Sequence, residues 1–527
     1  MIRLVHAGPL LVLASSLWAA PALSQSGGAA EAEAQEAGAH ATGAPGAPAL
    51  GATEFANSGA AEAQAPFLRG LLLLHSFEYA DARDAFREAR EIDPSFGMAA
   101  WGEAMTHNHP VWQRQDKDAA WAALNALWGD ADGQPRAVTM TEREGAYMRT
   151  LEVLFGEGDK RDRDDVYAEA MHELAAAYPD DLDAQTFYAL ALLGTAHEGR
   201  ETATYMRAAA VLEEAFAANP QHPGAAHYLI HAYDDPVHAP LGLRPARVYA
   251  GVAPAASHAL HMPSHIWLAL GMWDDVAEMN RRSYRAAAAG SARRGAPLNG
   301  HGWHALWWWH YAELQTGDTA EARRLLSLAR ELAAADPDGS TAQAHLTRIR
   351  AQHAVATEDG GVLDPAPAEG SLATFALDRF TDGHFAIVGG DVAAGIAMSE
   401  ELARRLAAAD DPPWQARVAD HLLRASIAFA GAQTAEGVAE LEAAAAIESA
   451  APLTFGPPAP PRMAHEYLGS VLLASDPARA AAAFEAALAR APNRRFATQG
   501  LRRARAALSE AAAGAPDLAV PDASPED

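Results

Sequence analysis

From about Ala61 to about residue 510, apolar positions recur three and four residues apart, with polar residues between them, and sustained alternation is rare. That period belongs to amphipathic helices rather than strands, and the scarcity of β-branched and aromatic runs points the same way. Four stretches depart from it. Residues 25–60 are Ala, Gly, Glu and Pro with almost nothing large to bury, the composition of a flexible linker. Residues 357–371 (TEDGGVLDPAPAEGS) are rich in Gly, Pro and acid, and predict a break between a lobe at 61–356 and a second at 372–510. Ala450 to Arg462 reads as a Pro-rich loop, and 511–527 as an acidic, disordered tail.

The helical stretches repeat. Gly70, Ala82, Phe86, Ala89 and Pro94 are spaced 12, 4, 3 and 5 apart, the signature positions of a tetratricopeptide repeat. Small residues let two antiparallel helices approach, the aromatic fills the gap, and the proline ends the second helix. Gly469, Ala480, Phe484, Ala487 and Pro492 restate the pattern near the far end with one residue missing from the turn. Looser copies lie between, as at Ala208, Leu212, Ala215 and Pro220. The expected fold is all-α: a tetratricopeptide-type solenoid of stacked antiparallel helix pairs, in two lobes.

Composition then excludes several chemistries. A formal net charge of −28 with no basic stripe repels a phosphate backbone, so no nucleic-acid partner is expected. With no cysteine, disulfides, thiolate metal sites and cysteine nucleophiles are impossible. The first residues, MIRLVHAGPLLVLASSLWAAPALSQ, join Arg3 to an apolar core and to Ala22-Leu23-Ser24, a small-residue cleavage pattern. Residues 1–24 therefore resemble a secretory signal peptide. A periplasmic or secreted protein is expected, with no transmembrane segment in the mature chain.

The chemistry concentrates in residues 223–273. His227 and His231 stand at i, i+4, and His258, His261 and His265 at i, i+3, i+7, so each set shares one helix face. Registered on the repeat, these five and His304 fall at positions that line the concave side of the array. Trp307 and Tyr311 fall on the same lining face as His304, and His75 and His109, 34 residues apart, occupy one equivalent lining position. Six imidazoles aimed at one hollow predict a divalent metal, with an anionic ligand as the other possibility. Without thiolates, Zn, Cu or Fe suits such donors best. Asp234, Asp235 and Glu103 are the candidate general bases. Duller readings exist for each: Asp234-Asp235-Pro236 as a helix end and turn, Glu103 as an ordinary hydrogen-bonded acid, and isolated histidines such as His310 and His353 as core residues. Pro263, inside the histidine-rich helix, should kink it or free a carbonyl.

Leu74-His-Ser-Phe-Glu-Tyr79, the block from Trp101 to Trp112, His227 to Leu243, and His258-Ala-Leu-His-Met-Pro-Ser-His265 together resemble a group of exported bacterial tetratricopeptide-repeat proteins. The resemblance covers about residues 61–315. It implies the fold and export, and it ties the histidine blocks into one unit without implying a reaction.

Two functions compete on this reading. One is a histidine-ligated metal site in the groove, serving catalysis or metal handling. The other is a non-enzymatic scaffold whose groove grips a small molecule, a peptide or a protein.

Overall fold

The computed structural model describes residues 49–129, 136–363, 370–458 and 460–513, and almost all their regular structure is helical. Helix α1 (Gln64–His75) pairs with α2 (Tyr79–Ile92), α3 (Gly97–Met105) with α4 (Lys117–Trp128), α5 (Glu142–Leu154) with α6 (Lys160–Ala177), and α7 (Leu182–Gly194) with α8 (Thr202–Ala218). Next come α9 (Pro223–Tyr233) with α10 (Ala239–Val252), then α11 (Ser257–His261) and α12 (Pro263–Leu270) with α13 (Trp273–Arg293). After α14 (Gly300–Thr316) and α15 (Thr319–Ala335) comes α16 (Ser340–Thr357). The last stretch holds α17 (Leu372–Val388), α18 (Val392–Ala407), α19 (Trp414–Ala430), α20 (Thr434–Ala450), α21 (Ala464–Leu472), α22 (Pro477–Arg490) and α23 (Arg495–Ala513). Neighbours in sequence pack together, and alternate helices also touch, α1 on α3, α7 on α9 and α14 on α16. That is the contact pattern of a tetratricopeptide-type solenoid. A two-residue antiparallel pairing, β1 (Asn108–His109) with β2 (Arg114–Gln115), bridges α3 and α4.

The repeat residues act as the spacing requires. The Phe86 ring is wedged between two glycines: a Cβ on Gly70 would lie 2.8 Å from it, and one on Gly102 2.4 Å. Phe484 sits in the same way between Gly469 and Gly500, at 2.9 and 2.3 Å. Larger residues at these four positions would push the helices apart. Helix starts carry caps: Asp116 and Asn299 accept from backbone N–H groups of the first turn, and Thr141 and Glu144 form a capping box.

Two expectations are corrected. Residues 49–60 do not behave as linker. Leu50 and Phe55 are buried, Ala52 N donates to Gln221 O (2.9 Å), and Ser58 N donates to Glu144 Oε1 (2.7 Å). Two large apolar residues, diluted in a window of Ala and Gly, suffice to pin the strap. The division into two lobes is also absent, because the described residues fall in one compact unit and α16 packs directly on α17. The expected signal peptide (1–24), most of the 25–60 linker and the tail beyond Ala513 lie outside the described residues. Among the described residues no helix is long and apolar enough to cross a membrane.

The coil also closes on itself. Asn493 Nδ2 donates to Leu270 O (3.0 Å), Trp273 Nε1 donates to Asn493 O (3.0 Å), and buried Arg494 reaches Tyr311 while binding Glu466 through two nitrogens (2.7 and 2.9 Å). At the other end α1 lies against α9. First and last repeats thus meet the middle ones.

Candidate metal centre

The six predicted histidines converge, but in a different partition from their helices. Nitrogens of His227, His231 and His258 lie within 4.8 Å of one another, and so do those of His261, His265 and His304. Helix α11 is therefore split, His258 going to the rings of α9 and His261 to those of α12 and α14. The two trios adjoin, with ring centroids 5.7 Å apart for His231–His265 and 5.9 Å for His258–His261. The histidines other than His304 are at most 6 % exposed. Burial holds His227 down at about 3, and His231, His258, His261 and His304 well below the ordinary imidazole value. At neutral pH these rings are uncharged and keep a lone pair free.

Hydrogen bonds fix which nitrogen carries that lone pair. Asn280 donates through Nδ2 to Val276 O (2.8 Å) and Ser264 Oγ (2.9 Å), so its Oδ1 must accept from His261 Nδ1 (2.7 Å). Asp234 Oδ2 accepts from His265 Nδ1 (2.5 Å). Both rings then turn Nε2 toward the other, at 3.0 Å. Two lone pairs repel at that distance unless a proton or a cation lies between them. In the first trio His227 Nδ1 donates to His75 O (2.6 Å), leaving its Nε2 inward. That atom, both nitrogens of His231 and Nε2 of His258 are buried without a hydrogen-bond partner.

Pro263 performs as expected. It cannot donate to the carbonyl of Ala259, the helix breaks at Met262 between α11 and α12, and His261 and His265 face each other across the break. Phe77, buried and at φ 54°, ends α1 in a left-handed conformation that bulky residues rarely adopt. Its ring sits 4.3, 5.9 and 5.6 Å from His227, His231 and His258.

Other predicted positions are corrected. His75 does not line a groove: its Nε2 donates to Asp183 Oδ1 (2.8 Å), its Nδ1 meets Tyr228 Oη (3.0 Å), and His222 Nε2 lies 3.3 Å from the same Asp183 oxygen. These three can geometrically hold a metal, but His75 and Thr53 (2.8 Å) already occupy the two oxygens of Asp183, and only His222 Nε2 is without a hydrogen bond of its own. His109 stacks on Tyr79 (4.0 Å), away from both trios. Trp308 faces all of the second trio, 4.7, 4.6 and 5.3 Å from His261, His265 and His304, whereas Trp307 meets only His304 among them (5.7 Å). Trp307 donates Nε1 to Gln352 (2.9 Å), and Tyr311 joins Arg494 beside the cluster.

The candidate bases are all engaged. Glu103 is held by Arg87 (2.7 Å) and Arg90, Asp235 by Arg200 (2.6 Å) and His238 (2.7 Å), and Asp234 by His265. Sequence reading missed Asn280, Glu78, Asp183, His222 and His301. Glu78 accepts from Ser257 Oγ (2.7 Å) and His258 N (2.9 Å) and lies 3.5 Å from His301. Burial works against the Glu78 charge, yet His301 and these hydrogen bonds hold its pKa at about 2. Only Glu78 had left a signal, as part of the Leu74–Tyr79 block.

A recess bounded by Asp234, Trp273, Tyr311, Glu448 and Arg490 reaches the second trio through Asp234. The loop beyond α20 forms its far wall. Phe455 in that loop approaches His265 (ring centroids 6.3 Å), and Gly456 (φ +92°) is so close to Trp308 that a Cβ would lie 2.6 Å from the indole.

No family model and no curated protein matches the chain. Among solved structures, the human IFIT1 dimer with m7Gppp-AAAA is similar at 10% identity over 88% of this chain and 92% of that one, with a TM-score of 0.36. Yeast Tom70 follows at 11% over 85% and 89%, TM-score 0.31. A Rap protein complexed with competence and sporulation factor is similar at 12% over 73% and 97%, TM-score 0.37. The architecture rests on this chain's own packing, and these likenesses carry nothing about its function.

Proposed function

We propose that this chain is a histidine-ligated metal protein, exported, holding a divalent transition ion such as zinc, copper or iron in an enclosed centre for metal-dependent catalysis or metal handling. The observation that carries this reading is the pair of Nε2 atoms on His261 and His265, facing at 3.0 Å with their other nitrogens committed to Asn280 and Asp234. Carboxylate or carboxamide behind imidazole is the usual support of a ligating histidine. Three imidazoles suit borderline ions and leave a coordination position for water or a small ligand. The recess beside Asp234 gives such a ligand a place to wait.

With Glu103, Asp235 and Asp234 all engaged, no candidate base from the sequence is left free to work on a substrate. Catalysis at this centre would rest on the ion and its own water.

The test is metal analysis of chelator-free protein, with His261→Ala and His265→Ala variants checked for helicity. Stoichiometric metal that both variants lose supports the reading. Wild-type protein that takes up none of zinc, copper or iron sinks it. Export belongs to the same proposal, and the N-terminal residue of protein recovered from the periplasm or medium checks it.

A second reading, a scaffold that grips a peptide or partner, has one observation in its favour. An apolar recess lies away from the six clustered histidines, lined by His384, Ile387, Leu422, Phe429 and Tyr467. Metal-free protein that still captured a partner would favour it.

A further inference from the structure

We infer that the centre takes two ions, one in each trio, rather than one shared by six histidines. The inference rests on the metal reading above and extends it to stoichiometry and arrangement.

The supporting parts come in duplicate. Each trio has its own aromatic wall, Phe77 beside His227, His231 and His258, and Trp308 beside His261, His265 and His304. Each also has its own buried carboxylate. Asp234 accepts from His265 Nδ1 (2.5 Å), and Glu78 accepts from the His258 backbone N–H (2.9 Å). A dication among neutral rings in a low-dielectric interior needs a nearby negative charge, and here each trio has one.

Each trio also shows its own unmet demand. In the second it is the facing pair of Nε2 atoms on His261 and His265. In the first it is the group of partnerless buried nitrogens on His227, His231 and His258. No other protein group among the described residues partners these nitrogens of the first trio, and in the second a cation would take the place of a shared proton.

One ion cannot serve both. At metal–nitrogen bonds of about 2.0–2.1 Å, nitrogens sharing an ion lie at most about 4.2 Å apart. Within a trio the donors already lie within 4.8 Å, so small ring rotations suffice. Drawing all six onto one point would require the His227–His75 and His261–Asn280 hydrogen bonds to break, and these anchor rings on opposite sides. Two three-nitrogen ions side by side, each with a coordination position to spare, form a pair to which a small exogenous ligand can bind.

Cobalt(II) titration of the metal-free full-length protein tests this, following ligand-field absorption and bound metal together. Wild type is expected to saturate at two equivalents. His258→Ala, in the first trio, and His304→Ala, in the second, are each expected to saturate at one. Helicity is monitored throughout, and His258→Gln and His304→Gln replace any alanine variant that fails to fold. Saturation of wild type at one equivalent overturns the inference while leaving the metal reading intact, as does loss of all binding in either folded variant. Absence of binding in wild type overturns both.

Discussion

Asn280 presents its carbonyl oxygen, not its amide nitrogen, to Nδ1 of His261, because Val276 O and Ser264 Oγ have already claimed the amide hydrogens. One asparagine on α13 thereby chooses the tautomer of a histidine on α11. Asn280→Ala should leave the helices in place and free the His261 ring to turn. The expected loss of metal affinity is about 10–100-fold, read by competition with a chromophoric chelator. An unchanged affinity would mean that Asn280 merely packs.

Asp183 is the counter-case, a carboxylate serving the fold. Asp183→Ala strands two buried imidazole N–H groups, on His75 and His222, at a cost of roughly 2–5 kcal/mol, and chemical denaturation should show it. Metal stoichiometry should stay at the wild-type value. Burial pushes the Asp183 carboxyl up, but its contacts with His222 and His75 prevail and hold it well below the ordinary range. Its contribution is therefore complete above the unfolded pKa and lost as pH falls, so the variant should lose the corresponding part of the acid limb.

Arg494 ties the last repeats to the middle of the coil. Arg494→Ala leaves Glu466, 0 % exposed, without its guanidinium partner. About 3–5 kcal/mol of destabilisation is expected, with faster amide exchange concentrated in α21–α23. Uniformly faster exchange along the chain would show that the closure is not a local latch.

Glu448 has the opposite pH sign. Burial, aided by Glu466 and opposed by Arg490 and Arg494, pushes it from 4.5 up to about 7. The fold thus prefers the protonated acid. That stability is present in full below about 4.5 and is lost as pH rises through about 7. Glu448→Gln should keep it at alkaline pH, making the variant more stable than wild type at pH 8 by roughly 1–3 kcal/mol. Equal stability at that pH would place the residue in water.

The helix pairs and their phenylalanine wedges were legible because each is a local pattern: Gly70, Ala82, Phe86 and Ala89 lie within one repeat. The six histidines were legible for the same reason, since i, i+4 and i, i+3, i+7 spacings fix faces. Their partition was not. Whether His258 turns to α9 or stays with His261 depends on how far successive helix pairs rotate, which no spacing within one helix records. Asn280 was invisible for a related cause, sitting alone on a helix whose own pattern is ordinary, and Glu78 showed only as one residue of the Leu74–Tyr79 block. The strap at 49–60 was missed because two large residues, Leu50 and Phe55, hold twelve.

Both ends of the coil lean on the helices that carry the histidines, and five of the six rings are at most 6 % exposed. Whatever occupies the cluster must be wrapped in as the chain winds shut, or wait for the segment around Phe455 to loosen. Exchange with the surroundings would then be paced by that loosening, so a tenant held only moderately at equilibrium could still stay for a long time.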